Sequence, residues 1–173
     1  PPRSTLFPYT TLFRSKLVER LEYMRNLDNA PEKERLPLAS ETYFLYAPLA
    51  HRLGFYNIKS EMEDLAVKYL EPEQYNEIEC KLRQTTASRN KLIRDFSAPL
   101  KEKLLKQNFR FAIKSRTKSI HSIMLKMKKQ GVEFEEVYDL FAVRIIIESE
   151  PENEKSDCWR VYSVVTEDRK SVV

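Results

Sequence analysis

The stretch FRFAIKSRTKSIHSIMLKMKKQGVEFEEVYDLFAVRIII, residues 109–147, decides the fold. At its start, Phe109, Phe111 and Ile113 alternate with polar or small residues, which is the period of a β-strand. The pattern then predicts a turn at 115–117, a helix over 118–130 that stops at Gly131, and a strand over 140–147. A helix beside a small sheet is therefore expected here.

The second predicted strand carries an arginine within an apolar run. Residues 140–147 read LFAVRIII, which is typical of a strand covered on both faces. Because burying an unpaired guanidinium is costly, Arg144 is expected to meet a carboxylate or a phosphate. Alternation places Arg144 and Asp139 on opposite faces, so these two are not expected to be direct partners.

The predicted helix has a basic face. Residues at steps of four, four and three share that face, and they are Lys118, Ser122, Lys126 and Lys129. Arg116 lies in the predicted turn, and Thr117 or Ser119 can cap the helix and leave backbone N–H groups free. The helix dipole and the cations together would favour a polyphosphate. A solvated lysine-rich face is the alternative interpretation.

Asp139 is the candidate metal ligand. A single carboxylate beside a phosphate-binding helix suits Mg²⁺, which uses one or two carboxylates together with phosphate oxygens. The alternative is an ordinary turn residue at the start of a strand.

Composition predicts a mostly helical α+β protein. The chain has 173 residues, two glycines and a net charge of +4. Residues 81–130 hold 15 Lys and Arg side chains against two acids, net +13, which suggests a polyanionic partner. No run of about 18 apolar residues occurs, so no membrane span is predicted. Cys80 and Cys158 match no metal spacing, and two reduced thiols in a cytoplasmic protein are expected.

Helical periodicity precedes the opening stretch. Helices are predicted over residues 16–29, 38–53, 58–70, 73–85 and 88–107, and another over 158–166. Pro48 is expected to kink or split the second helix, Pro99 to bend or divide the fifth, and Asn57 to cap the third. Trp159, Tyr162 and Val165 are expected to point inward.

Both ends of the chain look foreign to it. Residues 1–15 and 168–173 resemble translated sequencing adapters, and the prolines of the first segment are expected to prevent a helix. The predicted domains are residues 16–85, a helical bundle, and residues 86–167, the first half of a mixed-sheet domain.

The number and placement of the histidines argue against a metal-dependent hydrolase in this sequence. The sequence has only His51 and His121, and neither is followed by aspartate, as a His-Asp phosphohydrolase would require. The acids of residues 41–64 are interpreted as helix-surface charges, namely Glu41, Glu61, Glu63 and Asp64.

Three segments together resemble the RelA/SpoT family of alarmone synthetases and hydrolases. They are ETYFLYAPLAHRLGFYNIKSEMEDLAVKYL (41–70), SRTKSIHSIMLKM (115–127) and YDLFAVRIII (138–147). The resemblance covers residues 16–166. It implies the end of a helical His-Asp hydrolase domain, a helical connector and part of a nucleotidyltransferase-like synthetase domain. It also implies a cytoplasmic enzyme that transfers pyrophosphate from ATP to the 3′-hydroxyl of GTP or GDP.

The resemblance assigns roles to residues of the basic stretch. Arg116 would stack on adenine, and the ATP phosphates would be held by Lys118, Ser122 and Lys126. Asp139 would bind Mg²⁺, so that Arg116 and Asp139 would be the catalytic residues. Arg144 would be a further nucleotide-binding residue. Ser115 and Ser119 depart from the family, which usually has glycine and histidine there.

The hydrolase motif departs further. In KLVERLEYMRNL (16–27), Glu19 replaces a metal-binding aspartate, Glu22 a histidine and Tyr23 an asparagine, so the Mn²⁺ site and hydrolysis are expected to be lost. The resemblance places a guanine-stacking tyrosine and a second metal-binding glutamate beyond Thr166, so the chain alone is expected to be inactive.

The resemblance implies ribosome or tRNA contacts through C-terminal regions that lie outside this sequence. Two other classes compete with the enzyme: a basic nucleic-acid or ribosome-binding module, and a helical regulatory module that docks through residues 41–70.

Overall fold

The computed structural model describes residues 8–169, which are mostly helical and include one two-stranded sheet. The helices are α1 (Pro8–Arg25), α2 (Glu32–Glu41), α3 (Ala47–Arg52), α4 (Tyr56–Leu70), α5 (Pro72–Gln84), α6 (Thr86–Lys106), α7 (Ile120–Gln130) and α8 (Glu154–Arg169). The strands are β1 (Arg110–Thr117) and β2 (Phe141–Glu148). The predicted α+β, mostly helical class is confirmed. No described helix is long and apolar enough to cross a membrane.

These elements form two compact units. The first takes the described residues up to Lys81 together with Ser119–Tyr138, and the second takes Leu82–Lys118 together with the described residues from Asp139 onward. Helix α7 therefore clusters with the N-terminal helices, although it follows β1 in the chain.

The first unit is built on the leucine stripe of α1. Leu17, Leu21 and Met24 recur every three or four residues and are buried. Met62 and Ala66 of α4 lie in the same cores. Burying these side chains supplies the hydrophobic stabilisation that single helices of this length lack in water.

Pro48 disturbs the helix that contains it, as predicted. Between α2 and α3 the backbone makes a π-helical turn, Thr42–Tyr46, in which the Ala47 N–H bonds to the Thr42 carbonyl. Proline has no N–H to donate to the turn before it, and the wider π turn accommodates that loss. Pro99, in contrast, lies inside an unbroken α6.

The second unit packs one face of the sheet on two helices. β1 and β2 are antiparallel, with Arg110 opposite Glu148 and Thr117 opposite Phe141. Leu100 and Leu104 of α6 and Val161 and Val164 of α8 form its buried core. The side chains packed against this core from the sheet are Phe111, Ile145 and Ile147.

Several local predictions were wrong. Ser115-Arg116-Thr117 is the end of β1, because the ladder with β2 extends to Thr117. Residues 8–15 are helical and form the first part of α1, because Pro8 is the first residue of that helix, where its missing N–H is tolerated. Asn57 lies inside α4, and the position that precedes the helix is Phe55.

The inward face of α8 was predicted correctly only in part, because Val165 packs against the core as expected and the two aromatic residues do not. Trp159 and Tyr162 are more than half exposed, and they meet each other edge to face with ring centroids 5.7 Å apart. The buried residues are Val161 and Val164. Valines three apart form the narrow stripe that faces the core, and the large aromatics lie beside it.

Candidate functional site

Lys118 and Asp139 meet at one end of the sheet. The Lys118 Nζ lies 2.5 Å from the Asp139 Oδ2, and the Lys118 N–H donates to the Leu140 carbonyl at 2.9 Å. Both residues are just beyond the last cross-strand pair, Thr117 with Phe141. Side chain and backbone thus join the exit of β1 to the entry of β2, and they place a cation and a carboxylate side by side.

Asp139 holds this position in an unusual backbone conformation. Its φ is +59°, in the left-handed region that favours glycine and that aspartate and asparagine tolerate better than other side chains. Such a conformation costs of order 1–3 kcal/mol and persists where the surroundings determine it, often at functional sites. The prediction that the sheet holds the Asp139 carboxylate agrees with this geometry.

The second face of the sheet is open and basic. Cross-strand register puts eight exposed residues on it: Arg110, Ala112, Lys114 and Arg116 from β1, and Ala142, Arg144, Ile146 and Glu148 from β2. Lys114 is directly opposite Arg144, although like charges in that position repel. An anion would relieve this repulsion.

This arrangement corrects the prediction for Arg144. β2 is covered on one face only, so the guanidinium is exposed and needs no buried partner. The apolar run misled because Val143, Ile145 and Ile147 face the helices, whereas Ile146, 39% exposed, faces outward. Lys114 was not singled out from the sequence, yet the two-residue period of β1 already put it on the face of Arg116.

The N-terminus of α7 is capped twice. Ser119 accepts a hydrogen bond from the Ser122 N–H at 3.2 Å, as predicted, and its hydroxyl donates to the Ser122 Oγ at 2.8 Å. Asp64 of α4 accepts from the His121 N–H at 2.8 Å and from the Ile120 N–H at 3.3 Å. The prediction of free backbone N–H groups at this helix end is therefore wrong, because the Asp64 carboxylate accepts hydrogen bonds from two of them.

His121 lies in a buried polar network that the sequence did not reveal. The ring is 5% exposed, its Nε2 is 2.8 Å from the Tyr43 hydroxyl, and its Nδ1 is 3.2 Å from the Glu63 Oε2. Lys59 reaches the same Glu63 oxygen at 2.8 Å. Glu63 and Asp64 were predicted to be surface charges, and that prediction was wrong because α7 covers this face of α4.

The two acids of α4 respond to burial in opposite directions. Burial alone raises the pKa of Glu63, but His121 and Lys59 outweigh it and hold the pKa below the usual 4.5. Burial also raises the pKa of Asp64, and the N–H groups of His121 and Ile120 only partly offset this. The Asp64 carboxylate is thus kept in a poorly solvated position by its contacts with α7.

Two residues of the predicted hydrolase motif line a cavity of about 520 Å³ in the first unit. Its wall includes Glu19 and Tyr23 together with Lys16, Arg20 and Tyr46. Lys16 pairs with Glu19 at 2.7 Å. Glu22 is not part of the wall and instead contacts Arg25 and Asn26.

The predicted nucleotide-site residues are divided between the units. Arg116, Lys118, Asp139 and Arg144 belong to the second unit, whereas Ser122 and Lys126 lie on α7 in the first. Among residues 8–169 no three His, Cys, Asp or Glu side chains form a metal-binding group.

Comparison with known proteins decides the family. A profile described as the region found in RelA / SpoT proteins matches residues 115–173, and an HD-domain profile matches residues 13–56. A GTP pyrophosphokinase of Myxococcus xanthus is 35% identical over 157 residues, which is 91% of this chain and 20% of that protein. The chain belongs to the RelA/SpoT family. The resemblance inferred from the three motif segments is confirmed.

Relatives named as a hydrolase and as a pyrophosphokinase both match the same share of this chain. A probable guanosine-3′,5′-bis(diphosphate) 3′-pyrophosphohydrolase of a Synechocystis strain is 40% identical over 152 residues, 87% of this chain and 19% of that protein. The GTP pyrophosphokinase of Escherichia coli K12 is 35% identical over 150 residues, 87% of this chain and 20% of that protein. The chain spans about a fifth of the length of these curated relatives.

Proposed function

We propose that this chain provides the ATP-binding part of a pyrophosphate-transfer site of the RelA/SpoT type. The observation that carries the proposal is the 2.5 Å contact of Lys118 with Asp139 at the end of an open basic sheet face. A cation for phosphate oxygens and a carboxylate for a metal stand next to each other there. Phosphoryl-type transfer depends mainly on such positioning and charge neutralisation.

The reaction proposed for the complete enzyme joins two nucleotides. The 3′-hydroxyl oxygen of GTP or GDP bonds to the β-phosphorus of ATP, the bond from that phosphorus to the α,β-bridging oxygen breaks, and AMP leaves. The hydroxyl proton passes to solvent or to a base. Because the chain covers about a fifth of its relatives, ATP binding is what the proposal assigns to these 173 residues.

Each basic residue has a distinct role in the proposal. Arg116 stacks its planar guanidinium on the adenine, for which an arginine is better suited than a lysine. Lys118, Ser122 and Lys126 bind phosphate oxygens. Arg144, exposed on the same sheet face as Arg116, contributes a further positive charge towards the triphosphate.

Asp139 is the proposed protein ligand of Mg²⁺. One exposed carboxylate fits this ion, which prefers oxygen ligands and keeps several waters or phosphate oxygens. Bound there, Mg²⁺ would neutralise charge on the ATP phosphates. Lys118 would then exchange its contact with Asp139 for one with phosphate, so the observed ion pair holds both side chains near their working positions.

The test is a calorimetric titration of the chain with ATP, with and without Mg²⁺, and with GTP as the comparison. The proposal predicts Mg²⁺-dependent binding of ATP that exceeds binding of GTP. Absence of ATP binding by the folded chain, or equal binding of both nucleotides, would contradict it.

We further propose that the hydrolase site is degenerate. Glu19 is paired with Lys16 rather than grouped with other metal ligands, and Glu22 lies outside the cavity that Glu19 and Tyr23 line. Incubation of the chain with guanosine tetraphosphate and Mn²⁺ is expected to leave the nucleotide intact. Release of pyrophosphate above a chain-free control would contradict this proposal.

A nucleic-acid-binding function is the competing candidate, and the basic sheet face is the observation in its favour. That face carries four cations but none of its eight residues is aromatic. Sheet-based binding of single strands relies on aromatic side chains that stack on bases. Tight, steeply salt-dependent binding of RNA, with no ATP binding, would favour this alternative.

A further inference from the structure

Helix α7 is fastened to α4 by acids at two levels. Glu63 and Asp64 contact His121 and the N-terminal N–H groups of α7, and Glu71, two turns further along, contacts Lys128. Tyr43 of the π-helical turn reaches His121 from a second direction. The helix that carries Ser122 and Lys126 is thus held by residues that lie far earlier in the chain, at sequence separations of 56 to 78.

The contacts at the N-terminal end of α7 involve directed groups in partly or fully buried positions. Asp64 accepts both first-turn N–H groups of Ile120 and His121, which fixes the position of the helix end along its axis. His121 is bounded by Tyr43 on one ring nitrogen and by Glu63 on the other, which fixes the rotation about that axis. Translation and rotation of α7 are therefore both specified.

Ser122 follows His121 directly, and Lys126 lies four residues later on the same side as Ser122. A helix moves as a rigid rod, so any rotation that displaces His121 displaces Ser122 by the same angle. An error of about 1 Å in such a position is enough to weaken binding and catalysis severely.

We propose that Glu63 and Asp64 are positioning residues for the phosphate-binding side chains of α7, Ser122 and Lys126, and act by fixing the register and rotation of that helix. The inference rests on the proposed function, since Ser122 and Lys126 matter here as phosphate ligands. It gives two residues of α4 a role in supporting the predicted phosphate ligands of α7. In this proposal the two acids act through α7 and do not touch the nucleotide.

Asp64 also limits how phosphate can bind. The N–H groups of Ile120 and His121 point at its carboxylate, and the Ser122 N–H points at Ser119. Phosphate binding through these backbone groups would require displacement of Asp64. Side chains, and not the helix end, are therefore the groups of α7 that meet ATP.

The experiment measures the dissociation constant of Mg·ATP for Asp64→Leu and Asp64→Asn in the full chain. Leucine branches at the same carbon as aspartate, although it is larger, and it accepts no hydrogen bond, so affinity is expected to fall about 3- to 10-fold, the range that loss of a helix cap implies. Asparagine keeps one acceptor for the His121 N–H and is expected to recover most of the affinity. This rescue separates positioning from a general need for negative charge.

Asp28→Ala is the matched control. Asp28 is an acid of the same unit and accepts hydrogen bonds from Lys68 and Tyr69 at 2.9 and 2.6 Å, and both of these partners lie on α4. It is expected to leave ATP affinity unchanged. An equal loss in Asp28→Ala would mean that overall stability, and not positioning, sets the affinity.

The remaining outcomes are also decisive. Unchanged affinity in folded Asp64→Leu overturns the inference, and tighter binding overturns it too, since Asp64 would then compete with phosphate for the helix end. If Asp64→Leu does not fold, the affinity of Asp64→Asn for Mg·ATP decides. A loss of about twofold supports the inference, and no loss overturns it. If Lys118→Ala and Arg116→Ala bind ATP like the wild type, the proposed function itself fails.

Discussion

The Lys118 Nζ lies 2.5 Å from the Asp139 Oδ2, although 21 residues separate the two in sequence. The pairing of β1 with β2 brings them together, and the Asp139 backbone at this point is left-handed, with φ +59°. A surface ion pair of this kind adds little stability by itself. In the proposed site, the ion pair keeps Lys118 close to where a phosphate would bind and Asp139 close to where Mg²⁺ would bind.

Asp139→Asn is expected to remove the Mg²⁺ dependence of ATP binding. Asparagine tolerates the φ of +59° at least as well as aspartate, so the fold is retained while the anionic ligand is lost. ATP titrations with Mg²⁺ and with chelator should give nearly equal affinities for this variant. Asp157→Asn, an acid of the same unit on α8, serves as control and should keep the dependence of the wild type. A persistent Mg²⁺ effect in Asp139→Asn would remove this residue from the metal site.

Arg116→Ala is expected to weaken ATP binding about 5- to 30-fold, the range of a guanidinium stacked on an aromatic ring. Arg110→Ala is the matched control, because Arg110 lies on the same strand and the same exposed face, six residues earlier. It should change affinity by less than about twofold. Equal effects of the two variants would indicate a general charge effect.

Asn108→Val is expected to lower the free energy of unfolding by about 1–2 kcal/mol, because a β-branched residue is strained at positive φ. Asn108 follows α6 with φ +60°, and its N–H bonds to the Leu105 carbonyl at 3.0 Å. Asn108→Gly should equal or exceed the stability of the wild type. Lys106→Val, inside the same helix end, is the control and should cost a few tenths of a kcal/mol. Urea unfolding of the three variants provides the comparison, and equal losses in Asn108→Val and Lys106→Val would contradict the account.

Glu63 should make the protein sensitive to acid. Its pKa is held below 4.5 in the folded state, so its ionised form favours folding above that pH, and the contribution is lost as the pH falls through the folded-state pKa. Glu63→Gln should therefore lose stability less steeply than the wild type between about pH 4.5 and 3. Parallel stability curves from urea unfolding at several pH values would contradict the assignment.

Local pattern was sufficient for the elements of the opening stretch. The alternation of Phe109, Phe111 and Ile113 predicted a strand, and the structure has β1 there. Gly131 ends α7 with φ +65°, and Ser119 caps its start, both as expected from residue chemistry. These features depend on neighbours within four residues, which is the range that sequence pattern describes.

Features that depend on distant neighbours were missed. The role of Asp64 requires contact with residues 56 and 57 positions later, and a charged residue on a helix otherwise indicates solvent. The apolar run around Arg144 could not reveal that only one face of β2 is covered. Ser115–Thr117 looked like a turn because polar residues are common in turns, whereas pairing with β2 made it a strand.

The most direct test of the central claim is the affinity of Lys118→Ala for Mg·ATP, compared with Lys101→Ala on the exposed surface of α6. If Lys118 binds ATP phosphates, its removal costs a charge-assisted hydrogen bond, and affinity should fall about 10- to 100-fold while Lys101→Ala binds like the wild type. Equal affinities of Lys118→Ala and the wild type, with both folded, would contradict the account.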